Sequence, residues 1–214
     1  MTTTTTIERE RTDIQADPGP PPGATLLIPA DVRMIVAHDD FERLCAANRD
    51  LRLELEADGT LIVMTPASTD GGGRELTLGA QLWNWSKANG QGKAFGPSAG
   101  YTLPDGSVKA PDASWIRRER LDALPREERD RFARIVPDFA AEVRSPSDGL
   151  NEVRAKMAAY IAHGVRLGWL IDPIRRTVEV YRPGREPETL TAPKSLSGED
   201  VLPGFTLDLA DILD

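Results

Sequence analysis

Cysteine and histidine are scarce in this chain. Its 214 residues include one cysteine, Cys45, and two histidines. A single cysteine excludes an intramolecular disulfide and fits a reducing compartment such as the cytoplasm. So few thiol and imidazole groups also argue against a zinc site of the usual kind.

Excess positive charge and long apolar runs are also lacking. Lysine and arginine number 26 against 34 aspartates and glutamates, which gives a net charge of −8. This balance argues against a protein that coats nucleic acid, because non-specific affinity for phosphates comes mainly from Lys and Arg. No apolar run reaches the roughly 18 residues of a membrane span. We therefore expect a cytoplasmic protein with no membrane partner.

The chain does have the composition of a globular domain, with 40% hydrophobic and 28% charged residues. Residues 1–25 contain a threonine run and a stretch rich in proline and glycine, which together predict a disordered tail. Residues 26–214 are long enough for a single domain with a sizeable core.

Hydrophobic periodicity predicts helices and strands along this domain. Runs that are apolar on both faces indicate a mixed β-sheet covered by helices, in an α+β or α/β fold with an extra N-terminal hairpin. The four tryptophans lie in apolar periodic segments and are interpreted as core residues. The predicted elements are a helix at 39–48, a hairpin of strands 51–56 and 61–64, a glycine-rich mobile connection at 71–73, a helix at 74–89, strands at 93–103 and 108–116, a charged helix at 120–135, a strand at 139–143, a helix at 150–163, strands at 167–171 and 177–181, and an apolar closing segment at 201–212.

Two acidic residues lie inside these apolar strands, Asp112 in the strand 108–116 and Glu142 in the strand 139–143. An ionised carboxylate is costly in a protein interior unless something binds it. If the two strands pair, both carboxylates come within reach of one or two cations. Oxygen ligands of this kind suit Mg²⁺ or Mn²⁺. Such a cation lowers the pKa of an attacking water and neutralises charge developing on a phosphate.

Lys156 follows Glu142 by 14 residues and lies on the flank of the buried stripe of the helix 150–163. A lysine there can place its ammonium at the edge of the acidic site, where it orients water or stabilises charge. The alternative is a lysine that extends to solvent at a helix boundary. The spacing to the two acids favours the functional interpretation.

Three more acids are candidates, each with a structural alternative. Glu75 could give a further carboxylate to a metal, or could be an acid in the first turn of a helix. Glu54 alternates with leucines and is expected to face away from the core. Asp172 precedes Pro173, where a turn residue is the simpler interpretation.

The sequence contains the motifs Pro111-Asp112, Glu142-Val143-Arg144-Ser145-Pro146-Ser147, Lys156, Tyr160 and Trp169-Leu170-Ile171-Asp172-Pro173. Through these motifs the chain resembles the Uma-type family of bacterial restriction-endonuclease-like proteins, part of the PD-(D/E)XK nuclease superfamily, over roughly residues 30–213. Glu54 lies in an Arg-Leu-Glu-Leu block that the family also shows.

The resemblance implies a restriction-endonuclease-like αβββαβ core and Mg²⁺-dependent hydrolysis of phosphodiester bonds in nucleic acid, with DNA as the expected substrate. Asp112 and Glu142 would be metal ligands, and Lys156 would be the displaced catalytic lysine. Arg144 stands where the simplest superfamily pattern has a lysine. Arginine can stabilise an anion but cannot deprotonate water. A symmetric homodimer would fit, because nucleases of this fold often pair to cut two strands.

Two functions remain open from the sequence. The first is a metal-dependent nuclease in which Asp112 and Glu142 hold the cation and Lys156 assists. The second is a non-catalytic module, binding nucleic acid or protein, that keeps the nuclease fold. The acidic charge and Arg144 favour the module, whereas the intact set of Asp112, Glu142 and Lys156 favours the nuclease.

Overall fold

The computed structural model describes residues 32–214, so the predicted tail at 1–25 and the first residues of the predicted domain lie outside it. Residues Arg33–Asp214 form one compact unit. Its elements are α1 (His38–Ala47), β1 (Arg52–Leu55), β2 (Leu61–Met64), α2 (Thr69–Asn89), β3 (Gly92–Phe95), β4 (Tyr101–Thr102), β5 (Val108–Lys109), β6 (Ala113–Arg117), α3 (Arg118–Asp122), α4 (Arg126–Arg129), β7 (Phe139–Val143), α5 (Leu150–Ala162), β8 (Leu167–Asp172), β9 (Thr177–Tyr181), β10 (Glu188–Thr191), β11 (Ser195–Ser197), β12 (Thr206–Asp208) and α6 (Ala210–Leu213).

The larger sheet has six strands in the order β10-β9-β8-β7-β6-β3. Strands β7 and β8 are parallel and α5 connects them, whereas every other neighbouring pair is antiparallel. A parallel pair needs a crossover connection, which explains why a helix stands between these two strands. The predicted mixed sheet flanked by helices is confirmed.

Helices cover both faces of this sheet, and alternation along β7 decides which residue faces which helix. Phe139 and Ala141 lie in the core that includes Leu78 and Leu82 of α2. Ala140 lies in the opposite core, with Met157 and Tyr160 of α5. Glu142 is two residues after Ala140 in the same strand, so its side chain lies on the same face of the sheet, the face that α5 covers.

A second sheet of four strands has the order β2-β1-β5-β4. It contains the predicted hairpin, since β1 and β2 are antiparallel in the register Leu55↔Leu61. Gly59 turns the hairpin with a φ of 83°, a conformation that favours glycine. Leu55 also pairs with Val108 of β5, which brings the hairpin beside the segment that leads to Asp112.

Several predicted boundaries differ from the structure. The predicted strand 108–116 is two strands in different sheets, β5 and β6, separated at Pro111, which has no N–H for a ladder. The predicted strand 93–103 is likewise divided into β3 and β4, and the predicted helix 120–135 is only the short helices α3 and α4, separated by Pro125. Strands β10 and β11 were not predicted.

Helix α2 begins at Thr69, five residues before the predicted start, so the glycines at 71–73 are helical rather than a loop. The Ser68 side chain caps this helix by accepting a hydrogen bond from the Gly71 N–H. Trp83, interpreted as core from its periodicity, is 50% exposed. Within residues 32–214 no helix has the length and apolar character that crossing a membrane requires.

Candidate functional site

Asp112 and Glu142 come together through the pairing of β6 with β7. The register pairs Ala113 with Ala141, so one step further Asp112 stands opposite Glu142 on the same face of the sheet. The main chain fixes the Asp112 side chain, because the Val143 N–H donates to its Oδ2 at 2.8 Å. Both side chains are buried. The expected approach of the two strands is therefore confirmed.

Lys156 reaches this pair from α5. The helix lies close to the sheet because β8 carries Gly168, where an added Cβ would come within 2.6 Å of Met157 Cε. From that position the Lys156 Nζ lies 2.9 Å from Glu142 Oε1 and 2.9 Å from Glu54 Oε1. The lysine therefore points into the acidic cluster rather than to solvent.

Glu54 lies on the face of β1 opposite its leucine neighbours, as predicted, but it is buried, at only 3% exposed. Its Oε1 accepts hydrogen bonds from the Ala110 N–H and from Lys156 Nζ, each at 2.9 Å. Its Oε2 lies 3.7 Å from Lys109 Nζ. Alternation correctly separates Glu54 from its leucine neighbours, but this second face of β1 is covered by polar groups instead of water.

The two central carboxyl groups are hard to ionise in this environment. Burial raises the pKa of Asp112 to about 6, and the charge of Glu75 adds to the effect. Burial raises the pKa of Glu142 to about 8, and the neighbouring charges of Asp112 and Glu54 contribute, with only partial compensation from Lys156. Burial therefore favours the neutral forms of both carboxyl groups, and a bound cation would favour their ionised forms.

Lys156 and Tyr160 are the two hydrogen-bond donors beside Glu142. Burial alone would lower the pKa of Lys156, but the carboxylates of Glu142 and Glu54 outweigh it and keep that pKa above its usual value. The Tyr160 hydroxyl donates to Glu142 Oε1 at 3.0 Å, and burial holds the pKa of Tyr160 well above its ordinary value. Both shifts favour the protonated forms at neutral pH, in which Lys156 donates hydrogen bonds and stabilises negative charge.

Glu75 lies near the pair without being part of its hydrogen-bond network. It is half-buried in α2, and since the helix begins at Thr69, it is not in the first turn as predicted. Burial raises the pKa of Glu75, the nearby Arg52 guanidinium lowers it, and the charge of Glu142 raises it further. The helix-terminus alternative for Glu75 is therefore removed.

Arg144 and Asp172 bind each other beside the cluster. The Arg144 Nη1 lies 2.9 Å from Asp172 Oδ2, and its Nε and Nη2 donate to the Asp148 carbonyl at 3.2 Å. The second oxygen of Asp172 accepts from the N–H groups of Ile174 and Arg175, as expected for a turn residue. These contacts hold the ends of β7 and β8 together and occupy the Arg144 guanidinium.

Arg52 is a neighbour of the site that the sequence did not identify. Its Nη2 lies 3.9 Å from Asp112 Oδ1 and donates to the Pro97 carbonyl at 3.1 Å. Its Nε is buried and has no hydrogen-bond partner within the described residues. A usable signal was present, because Arg52 is two residues before Glu54 and therefore on the same face of β1.

The donor set fits a hard divalent cation. Residues 32–214 contain no group of three or more His, Cys, Asp and Glu side chains that could hold a metal ion. Mg²⁺, however, keeps several waters and is commonly held by one or two carboxylates together with substrate phosphates. Asp112 and Glu142 supply two such carboxylates, and both are buried, where burial raises their pKa values.

Comparison with known proteins gives a family and a fold. Residues 38–210 match the model of the Uma2 family, which is described as "Putative restriction endonuclease". The crystal structure of a "putative nuclease belonging to DUF820" from Anabaena variabilis ATCC 29413 superposes with a TM-score of 0.69 at 24% identity, over 83% of this chain and 97% of that chain. This likeness shows a shared fold.

A cryo-EM structure of a DrdV–DNA complex gives a TM-score of 0.36 at 14% identity, over 56% of this chain and 10% of that chain. At that score the likeness carries no argument about this protein. No curated protein matches the chain.

Proposed function

The chain belongs to the Uma2 family, and from this premise we propose that it is a metal-dependent nuclease that hydrolyses phosphodiester bonds of nucleic acid, with DNA as the preferred substrate. One observation carries the proposal. Two buried carboxylates, Asp112 and Glu142, share a sheet face, and a protonated lysine lies 2.9 Å from Glu142. Carboxylate pairs of this kind bind the cations that act on phosphates.

In this proposal Asp112 and Glu142 hold Mg²⁺ or Mn²⁺. When bound, the cation supplies a polarised phosphate and a water of lowered pKa. The Val143 N–H keeps the Asp112 carboxylate in place, and the Tyr160 hydroxyl does the same for Glu142. These two hydrogen bonds orient the carboxylates before any ligand arrives, which reduces the reorganisation needed at the moment of reaction.

Lys156 would be the catalytic cation of the protein itself. An ammonium has three N–H donors, and the carboxylates of Glu54 and Glu142 engage two of them. The third donor is left for a phosphate oxygen or for the attacking water. Because the pKa of Lys156 is held above its usual value, the lysine stabilises negative charge at the transition state and does not remove a proton.

The other candidates take supporting roles in this proposal. Glu54 positions Lys156, and Glu75 adds negative charge beside Asp112. Arg144 and Asp172 anchor the neighbouring turns. A cytoplasmic location and a homodimer remain predictions from the sequence and the family resemblance.

A non-catalytic module that binds nucleic acid or another protein is the second candidate. The observation that favours it is the engagement of the Lys156 ammonium by two carboxylates in a chain of net charge −8. Such a module would keep the fold and bind its partner without cleaving a phosphodiester.

Cleavage assays separate the two candidates. Supercoiled plasmid, single-stranded DNA and RNA would each be incubated with the protein in Mg²⁺ and in Mn²⁺. We expect cleavage by the wild type and none by Asp112→Asn or Glu142→Gln. Asp138→Asn is the matched control, because Asp138 is equally buried but paired with Arg120 at the other end of β7. Inert wild-type protein on all three substrates would contradict the nuclease and favour the module.

A further inference from the structure

An open apolar groove runs along the exposed face of α2, beside the strand β3 and the loop that follows it. Its volume is about 440 Å³. Residues of both segments line it, among them Gly72, Leu76, Gly79, Trp83, Phe95 and Pro97.

Small residues form the floor of this groove and large apolar residues form its rim. A Cβ added at Gly72 or at Gly79 would meet no atom within 4 Å, so packing inside the described chain does not require glycine at either position. Leu76 is 72% exposed and Trp83 is 50% exposed. Two exposed side chains of this size beside an open floor are typical of a surface that receives a flat apolar group.

One lysine places positive charge beside the exposed aromatic ring. The Lys87 Nζ lies 4.7 Å from the centroid of the Trp83 ring. In a chain of net charge −8, an exposed indole ring beside an ammonium group suits single-stranded nucleic acid. The bases of a single strand stack on aromatic rings and its phosphates pair with cations.

The groove lies near the candidate metal site. Glu75, which neighbours Asp112 and Glu142, is one of its lining residues. Pro97 lines the opposite wall, and its carbonyl accepts a hydrogen bond from Arg52, whose guanidinium lies 3.9 Å from Asp112 Oδ1. A strand with one phosphate at Asp112 would therefore have its neighbouring nucleotide beside the groove.

We propose that this groove binds an unstacked base of the substrate, with Trp83 as the stacking platform and with Lys87 beside an adjoining phosphate. The choice of nucleic acid as the occupant rests on the proposed nuclease function. A base inside a duplex cannot reach the indole ring, so the protein prefers substrates with an unpaired nucleotide next to the cleavage site.

The test measures binding without cleavage. Fluorescence anisotropy of a labelled single-stranded oligonucleotide would be followed in EDTA and again in Ca²⁺, for the wild type and for Trp83→Ala and Trp83→Phe. Loss of one stacked base is expected to weaken binding by about tenfold or more, and phenylalanine should recover most of the loss. A duplex of the same sequence should bind more weakly to the wild type and should be insensitive to Trp83→Ala.

A second variant separates binding from folding. Gly79→Leu fills the groove floor where nothing opposes a side chain, and leucine is a better helix former than glycine. Its melting temperature should equal or exceed that of the wild type, while its affinity for the single strand falls. Ile174→Ala is the control, because Ile174 is also an exposed apolar residue, at 53%, but lies in the turn between β8 and β9.

The outcomes distinguish this inference from the nuclease proposal. Single-strand binding that is unchanged in Trp83→Ala and Gly79→Leu, or absent from the wild type in both buffers, overturns the groove assignment whatever the cleavage assays give. A wild-type dimer that Trp83→Ala makes monomeric also overturns it, because the groove would then be a contact between two copies. Binding that depends on Trp83, in a protein that cleaves nothing, supports the groove and contradicts the nuclease.

Discussion

The substitution Asp112→Asn should make the metal-free protein more stable at neutral and alkaline pH. Asp112 is buried, and its ionised form is unfavourable there without a cation. Asparagine has nearly the same shape and keeps a carbonyl oxygen that can accept the Val143 N–H now bonded to Oδ2. The substitution therefore removes the charge and retains the hydrogen bond.

The size and sign of the effect follow from the pKa of Asp112, which folding raises from 3.8 to about 6. A raised carboxyl pKa means that the folded protein binds the proton more tightly than the unfolded chain. The contribution of Asp112 to the free energy of unfolding is therefore greatest below pH 3.8, and it is lost as the pH rises from 3.8 to about 6. At 1.36 kcal/mol per pKa unit, the raised pKa of Asp112 lowers the free energy of unfolding, relative to acidic pH, by about 3 kcal/mol at about pH 8 and by about 1 kcal/mol at about pH 4.5.

The assay is urea denaturation in EDTA at these two pH values. Asp112→Asn should gain about 3 kcal/mol in the free energy of unfolding at the higher pH, equivalent to about 6–12 °C in Tm for a domain of this size. Asp138→Asn is the control of opposite sign. Asp138 is also buried, but it accepts a hydrogen bond from the Arg117 N–H and forms a salt bridge with Arg120, so losing its charge should destabilise the fold. A gain for Asp112→Asn that is equal at both pH values, or no gain at all, would refute the reasoning.

Three further results are expected. Lys156→Met should lower cleavage about 100-fold, because the transition state loses a hydrogen-bond donor, and it should leave Mg²⁺ binding in calorimetry unchanged. Weaker Mg²⁺ binding would show that the lysine only supports the carboxylates. Mg²⁺ affinity should rise between about pH 6 and pH 8.5, because Asp112 and Glu142, with pKa values of about 6 and about 8, must lose their protons to bind a cation; a flat profile would remove them from the site. Arg144→Ala should lower the free energy of unfolding in urea by about 3 kcal/mol, because the buried Asp172 loses its salt-bridge partner. Its Mg²⁺ affinity should equal that of the wild type, and a loss of affinity would place Arg144 in the metal site.

The sequence was sufficient for several of the core strands, among them β7, β8 and β9. Strand β7 has the predicted bounds, Phe139–Val143, because five consecutive apolar or buried positions end at a serine-proline turn. The face of Asp112 was also predictable, since alternation from Ser114 back to Asp112 holds across the start of β6. The family match and the shared fold confirm the resemblance that these motifs carried.

Other features depend on tertiary contacts that no local pattern carries. Alternation assigns Glu54 to the face opposite its leucines, but it cannot tell whether water or the ammonium groups of Lys109 and Lys156 cover that face. The first turn of α2 was not predicted because it contains glycines, which are poor helix formers, and the Ser68 side chain stabilises it as an N-cap. Trp83 follows the apolar period of α2, but that period does not show whether another part of the chain covers the residue, and Trp83 is half exposed. The role of each site residue in metal binding and cleavage remains a prediction.

The most direct test of the central claim is calorimetric titration of Mg²⁺ and Mn²⁺ into the wild type, Glu142→Gln and Asp138→Asn at about pH 8. At this pH Asp112 is ionised and Glu142, with a pKa of about 8, is close to half ionised. We expect binding to the wild type and to Asp138→Asn and none to Glu142→Gln, which would assign a cation to the pair of Asp112 and Glu142. Binding of equal strength to Glu142→Gln would contradict the assignment.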